Sequence, residues 1–113
     1  MTSKLAAIGT VTAKPFDELP LKTAKVAKLT EGLHLADRSI NDLGSDFRFF
    51  SNVECLWLNK NNLTDIAALA DNFRIKILYL HENKIDELKL EEFECFIALH
   101  TLTLNNNLLI DID

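Results

Sequence analysis

The side chains of this sequence that are most often used for metal binding and for acid–base or nucleophilic chemistry are His34, His81, His100, Cys55 and Cys95. Ligands of a closed zinc site usually come in pairs a few residues apart, but no two histidines and no two cysteines are so spaced. The nearest candidate pairing, His34 with Cys55, would join adjacent strands and supply only two ligands. The three glycines are isolated, so no phosphate-binding loop is present. We therefore expect no catalytic residue, no cofactor and no metal, and predict that the protein is not an enzyme.

Carboxylates are clustered between residues 86 and 94, at Asp86, Glu87, Glu91, Glu92 and Glu94. Clustered acids can hold calcium or meet a basic partner. These alternate with leucine and phenylalanine and do not follow the oxygen-ligand spacing of a calcium loop. We interpret the segment as a solvated face, with a docking surface for a lysine- or arginine-rich segment as the alternative.

A repeated pattern organises the rest of the chain. Apolar residues stand at positions 1, 4, 6 and 11, and an asparagine at position 9, in the order LxxLxLxxNxL. Three clear copies span residues 53–63, 75–85 and 99–109, and a weaker copy at 30–40 has Arg38 at position 9. Successive position-4 residues are 23, 22 and 24 residues apart. This regular spacing predicts about four coils of a solenoid.

Each copy contains the signals for one strand and one return. Alternation at positions 3–7 predicts a short strand whose leucines at positions 4 and 6 point inward. Between strands the apolar spacing changes to three and four, which suits short helical or 3₁₀ turns. The predicted fold class is therefore α/β: a solenoid with a short parallel β-sheet on its concave face and short helical or 3₁₀ turns on its convex face.

Two residue types are predicted to fill the interior beside the leucines. Phenylalanines of the returns are expected to fill the space between coils; they are Phe47, Phe50, Phe73, Phe93 and Phe96. The asparagines at position 9 are Asn61, Asn83 and Asn107. There the chain leaves the sheet, and a buried carboxamide can bond to backbone groups of its own coil and of the next.

The segments 56–69 and 78–88 resemble the short-coil cytosolic subclass of leucine-rich-repeat proteins. The residues that carry this resemblance are Leu56-x-Leu58-x-x-Asn61-x-Leu63-x-x-Ile66-x-x-Leu69 and Leu78-x-Leu80-x-x-Asn83-x-Ile85-x-x-Leu88. That subclass is typified by the regulatory subunit of protein phosphatase 1 and includes axonemal and spliceosomal proteins. The resemblance implies a non-catalytic binding scaffold. It suggests a structural component of a ciliary or cytoskeletal assembly, with a regulatory subunit of an enzyme such as a phosphatase as the alternative.

The repeat register identifies the side chains that face outward from the concave sheet. At position 5 stand His34, Trp57, Tyr79 and Thr103, and beside them Cys55 and Ile77 at position 3 and Asn59 and His81 at position 7. Aromatic residues suit sheets for structural reasons alone, because they pack across strands. Tryptophan and tyrosine are also enriched at interface hot spots. We therefore predict that these eight residues bind a protein partner.

The ends of the chain do not follow the repeat. We predict an N-terminal arm and capping segment over residues 1–29 and a repeat domain over 30–113. Residues 21–29 are expected to form an amphipathic helix with Leu21, Ala24, Val26 and Leu29 on its inner side; a degenerate strand is the alternative. No return follows the last copy, so the last coil is predicted to be uncapped. Its open edge should be covered by a partner, a second copy or further repeats.

Charge and composition limit the class of partner and the compartment. Residues 1–29 carry five lysines and two acidic side chains, a net charge of +3, and residues 30–113 therefore carry −8 of the formal total of −5. An acidic solenoid argues against nucleic-acid binding. We expect no signal peptide, and no apolar run in the sequence is long enough to span a bilayer. With only two cysteines, we expect free thiols and a cytoplasmic location, including cilium or cytoskeleton.

Overall fold

Each predicted strand is present and is three residues long. The computed structural model describes residues 9–109. In it β1 (Gly32–His34), β2 (Cys55–Trp57), β3 (Ile77–Tyr79) and β4 (Thr101–Thr103) form one parallel sheet in sequence order. The register pairs equivalent positions of neighbouring copies, with Leu56 opposite Leu33 and Leu78. The sequence repeat is thus also the structural repeat.

The inward leucines form the centre of the core. Leu56, Leu58, Leu78 and Leu80 are all 0–1% exposed, which confirms the predicted orientation of the strands. Burying each such side chain contributes about 1.5–3 kcal/mol relative to leaving it in water. The equivalent residues of the last coil, Leu102 and Leu104, are only half-buried. The core therefore becomes less enclosed towards β4.

Short helices close the coils on the convex side, as predicted. Two are 3₁₀ helices, Asp46–Phe49 and Ala67–Leu69. The returns before β1 and β4 contain α-helices instead: α1 (Ala24–Leu29) and α2 (Leu90–Phe93). The tight turns fit because each return has few residues in which to reverse the chain. Among residues 9–109 no helix is long and apolar enough to cross a membrane.

The prediction for the phenylalanines is correct at some positions and wrong at one. Phe47, Phe50 and Phe96 are buried, and Phe93 is half-buried against the core. Phe73, in contrast, is 48% exposed, and its neighbour Asn72 is buried instead. Asn72 Nδ2 donates to the carbonyl oxygens of Phe47 and Phe50 at 3.0 and 3.1 Å. A carboxamide is favoured here because the preceding 3₁₀ return leaves buried carbonyl groups that need donors.

The asparagine ladder is present as predicted. Asn83 Oδ1 accepts the backbone N–H of Leu63 at 3.0 Å, and Asn83 Nδ2 donates to the carbonyls of Leu58 and Leu80 at 2.9 Å each. Asn61 and Asn107 make equivalent bonds. Before each asparagine the chain turns through a residue of positive φ, 60° at Glu82. The ladder thus supplies the partners that the backbone loses where it leaves the sheet.

The segment before β1 packs against the first coil. A parallel bridge joins Thr12 to Asp42, and the ring of Phe16 lies 5.2 Å from that of Phe50. Arg38, which replaces the ladder asparagine, forms an ion pair with Glu18 of the 3₁₀ helix Pro15–Glu18. Residues of this segment therefore cover the apolar side of the first coil.

The predicted helix in residues 21–29 is correct in type, but shorter and differently oriented. α1 begins after Thr23, whose hydroxyl oxygen accepts the backbone N–H of Val26. Ala27 is its buried residue, and Val26 is half-buried against the core as predicted. The predicted inner position is wrong for Ala24, Leu21 and Leu29, which are exposed. Small Ala27 allows the backbone of α1 to approach the core closely. The predicted open edge of the last coil depends on residues 110–113, which lie outside the described residues.

Candidate functional site

The concave face carries all eight residues predicted to form the binding site. Strands β1 to β4 hold one position-5 side chain each, in the order His34, Trp57, Tyr79 and Thr103. Parallel strands lie about 4.8 Å apart, so equivalent side chains become neighbours. The site is thus positioned by the backbone register.

Three aromatic rings of this face stack into one column, called here the aromatic stack: His34, Trp57 and Tyr79. The imidazole of His34 lies 3.8 Å from the Trp57 ring centre, with an angle of 14° between planes. On the other side the ring of Tyr79 lies 5.7 Å away at 29°. Both faces of the indole are therefore covered by protein, and its edge is what remains for solvent or a partner.

His81 and Thr103 lie at the Tyr79 end of the stack and take part in two hydrogen bonds there. The ring of His81 meets that of Tyr79 edge-on, at 6.1 Å and 87°. His81 Nδ1 lies 2.7 Å from Thr103 Oγ1, which also accepts the backbone N–H of Leu80 at 3.2 Å. Since these bonds join β3 to β4, His81 and Thr103 hold the adjoining strands in register at the surface.

The stack has hydrogen-bonding groups that the protein itself does not use. None of the hydrogen bonds among residues 9–109 involves the indole N–H of Trp57 or the hydroxyl of Tyr79. Asn59, which follows β2, has a buried side-chain oxygen without a hydrogen-bond partner in the described part of the chain. The indole N–H and the hydroxyl belong to half-buried rings, so polar atoms of another molecule could bond to them in place of water.

An apolar strip and a charged rim lie beside the stack. Cys55 and Ile77, both half-buried, occupy neighbouring position-3 sites. Burial raises the pKa of the Cys55 thiol, which keeps it protonated and poorly nucleophilic at neutral pH. At the N-terminal edge of the strands, Lys76 Nζ lies 3.4 Å from a carboxylate oxygen of Glu54. The face thus combines aromatic edges, apolar surface and charge, as protein interfaces do.

The geometry of the remaining titratable residues offers little for catalysis. Within residues 9–109 no three histidine, cysteine or carboxylate side chains are grouped so that they could hold a metal ion. Among the described residues, the only hydrogen bond of the His100 side chain is to the neighbouring Thr101 hydroxyl, at 3.0 Å. Cys55 and Cys95 are not joined by a disulfide.

Sequence reasoning placed these residues on one face but missed part of their arrangement. It anticipated Trp57 beside Tyr79 and did not anticipate that His34 packs flat on the indole. The register did contain that signal, since His34 stands at position 5 directly before Trp57. Gly32, two residues earlier on β1, lies beside the same indole: a methyl group there would stand 3.8 Å from the ring, in ordinary van der Waals contact.

Known proteins with this architecture were found by structure alone. No protein-family model and no curated protein matches the sequence. Among solved structures, the leucine-rich repeat domain of APL1B matches 99% of this chain and 36% of that one, with a TM-score of 0.73 at 17% identity. An internalin, InlF of Listeria monocytogenes, matches 80% of this chain and 26% of its own, with a TM-score of 0.69 at 24% identity.

A further internalin of Listeria monocytogenes, internalin C2, matches with a TM-score of 0.54 at 21% identity over 91% of this chain and 50% of that one. The chain therefore has the leucine-rich-repeat fold. It spans between about a quarter and a half of the length of these proteins. At such identities the likeness is one of fold.

Proposed function

We propose that this chain is a non-catalytic protein-binding module whose concave face docks a segment of a partner protein. The observation that carries the proposal is the aromatic stack: Trp57 and Tyr79 stand at the middle of the concave sheet, with unused polar groups on half-exposed rings. The other residues of the proposed site are His34, Cys55, Asn59, Ile77, His81 and Thr103.

The stack suits a partner that brings polar atoms to the ring edges. Aromatic rings are negative on their faces and positive at their edges. Since the faces of Trp57 are covered by His34 and Tyr79, a partner meets the edge and the indole N–H. Backbone carbonyls or carboxylates of a helix or an extended segment provide acceptors there. Apolar side chains of the same segment would pack on Ile77 and Cys55.

A purely structural role for the aromatic residues is the competing explanation. Cross-strand pairs of this kind contribute roughly 0.2–1 kcal/mol each to a sheet. Stability alone would then explain Trp57 and Tyr79. The two explanations differ in what is lost when the rings are removed: a structural role predicts a loss of stability, and a binding role predicts a loss of affinity for the partner.

The test is a pair of affinity purifications with the wild-type chain and with a Trp57→Ala/Tyr79→Ala variant as baits, followed by quantitative mass spectrometry. We expect at least one protein to be retained by the wild type and lost by the variant, with affinity weakened by about 2 kcal/mol or more. A matched bait, Thr64→Ala/Asp65→Ala, changes two exposed residues away from the stack and should retain the partner. Equal recovery by the aromatic variant would refute the proposed site.

We further propose that the module acts in the cytoplasm as a structural part of a ciliary or cytoskeletal assembly. What supports this is the resemblance of its short coils to those of axonemal proteins; the same resemblance supports a regulatory subunit of a phosphatase as the alternative. Cell fractionation distinguishes these two proposed roles. A structural component stays with detergent-extracted filaments, whereas an enzyme regulator co-purifies with a soluble catalytic subunit.

A further inference from the structure

Two helix faces outside the concave surface have apolar side chains that nothing in the described structure covers. The first belongs to α1, which directs Ala27 to the core and leaves Leu29 68% exposed. Lys25 and Lys28 are exposed on the same side, because residues three and four apart share one side of a helix. This surface is called the basic face below.

The second lies at the other end of the molecule, along residues 86–91 and the start of α2. Leu88 is 45% exposed and Leu90 is 78% exposed, and α2 contains no buried residue. Glu87 and Glu91 are exposed on either side of these leucines, and the exposed Lys89 stands between them. This surface is called the acidic face below.

Negative charge near the acidic face is only partly compensated within the chain, since residues 86–94 hold five carboxylates and one lysine, Lys89. Burial, with the nearby carboxylate of Asp65, raises the pKa of Glu92, and Lys89 opposes this in part. None of the ion pairs among residues 9–109 includes a carboxylate of residues 86–94. A cationic surface from outside would relieve this crowding.

The two faces cannot meet within one molecule. α1 precedes β1 and α2 precedes β4, so they lie at opposite ends of the convex row, with the returns before β2 and β3 between them. They match each other in character, since each presents leucine side chains flanked by charge, of opposite sign. A second copy of this chain supplies the complement that each face lacks.

We propose that copies of this chain associate head to tail, with the basic face of one copy packed on the acidic face of the next. Leu29 would pack against Leu88 and Leu90, while Lys25 and Lys28 face Glu87 and Glu91. Such an interface is heterologous, so a pair of copies keeps one free basic face and one free acidic face, and the assembly can grow. The concave face stays open, and the inference does not rest on the proposed function.

The test uses reciprocal charge reversal and sedimentation velocity over a range of concentrations. Lys25→Glu/Lys28→Glu reverses the basic face, and Glu87→Lys/Glu91→Lys reverses the acidic face. Each variant alone should self-associate at least about tenfold more weakly than the wild type, because attraction becomes repulsion. An equimolar mixture of the two should regain association, since the reversed faces complement each other.

A control with the same change in net charge as the basic-face variant is Lys60→Glu/Lys84→Glu, which alters exposed lysines outside both faces and should associate like the wild type. Circular dichroism checks that each variant folds. If Lys25→Glu/Lys28→Glu does not fold, Lys25→Gln/Lys28→Gln takes its place, with the same expected weakening of self-association. Salt at about 1 M, which shortens the screening length to about 3 Å, should also weaken association. A wild type that stays monomeric, variants that associate normally, or a mixture that stays dissociated would each overturn the proposal.

Discussion

The two sides of each strand in this protein differ sharply in how much they vary. The central residue is leucine in all four strands and points inward, where Leu33, Leu56 and Leu78 are almost fully buried. The next residue points outward and is histidine, tryptophan, tyrosine or threonine in turn. Stacking requires the same volume at each inward position, whereas the outward positions carry no such constraint. The repeat therefore fixes the scaffold and leaves the concave face free to acquire a partner.

The largest effect should come from the inward side. Leu78 is 0% exposed and pairs with the leucines of both neighbouring strands. Leu78→Ala should lower the free energy of unfolding by about 2–5 kcal/mol, through lost burial and the cavity left behind. Urea denaturation measures this. Leu102→Ala, at the half-buried equivalent position in β4, should cost clearly less, and equal losses would contradict the gradient in core enclosure.

The next effect concerns the asparagine ladder. Asn83→Ala leaves the buried N–H of Leu63 without its acceptor, while the carbonyls of Leu58 and Leu80 keep a donor from Asn61 and Asn107. One orphaned group should cost about 1–3 kcal/mol of unfolding free energy.

Asn62 provides the matched control for this prediction. Its side chain makes no hydrogen bond among the described residues, so Asn62→Ala should change the stability by less than about 0.5 kcal/mol. If thermal or urea unfolding gave the two variants similar losses, the ladder would not have the role assigned to it.

The smallest effect concerns Arg38, the residue that replaces the ladder asparagine in the first coil. The guanidinium of Arg38 holds the pKa of the Glu18 carboxyl below its ordinary value of 4.5. A lowered folded-state pKa means that ionised Glu18 stabilises the protein above that ordinary value, and that this contribution disappears as the pH falls through the lower, folded-state pKa. The pair is partly exposed, with 42% of the Arg38 side chain accessible, so screening limits the effect to at most about 1 kcal/mol.

Glu18→Gln should remove the stabilisation that ionised Glu18 provides through its ion pair with Arg38. Wild type and variant should differ in thermal midpoint at neutral pH and converge in acid, as the pH falls through the lowered folded-state pKa of Glu18. A constant difference across that range would mean that the ion pair does not anchor the N-terminal segment.

The same contrast explains how far the sequence could predict the structure. Strand register, inward leucines and the asparagine ladder could be predicted because the same sequence pattern recurs from coil to coil. Phe73 is exposed and Asn72 is buried in its stead, because apolar spacing in a return does not report the hydrogen bonds that its backbone needs. The packing of Thr12 and Phe16 on the first coil involves contacts distant in sequence and outside the repeat, and no periodic signal specifies them. For the concave face, register located the residues, but the flat packing of His34 on Trp57 needed side-chain geometry.

Trp57 is the only tryptophan in the chain, which allows the central claim to be tested without a label. The measurement is the fluorescence of Trp57, with and without a tryptophan-free segment of the partner retained by the wild-type bait, together with its quenching by acrylamide. A partner seated on the aromatic stack should shift the emission to shorter wavelength and protect the indole from quenching. Binding at saturation with unchanged emission and unchanged quenching would contradict the assignment of the concave face as the docking site.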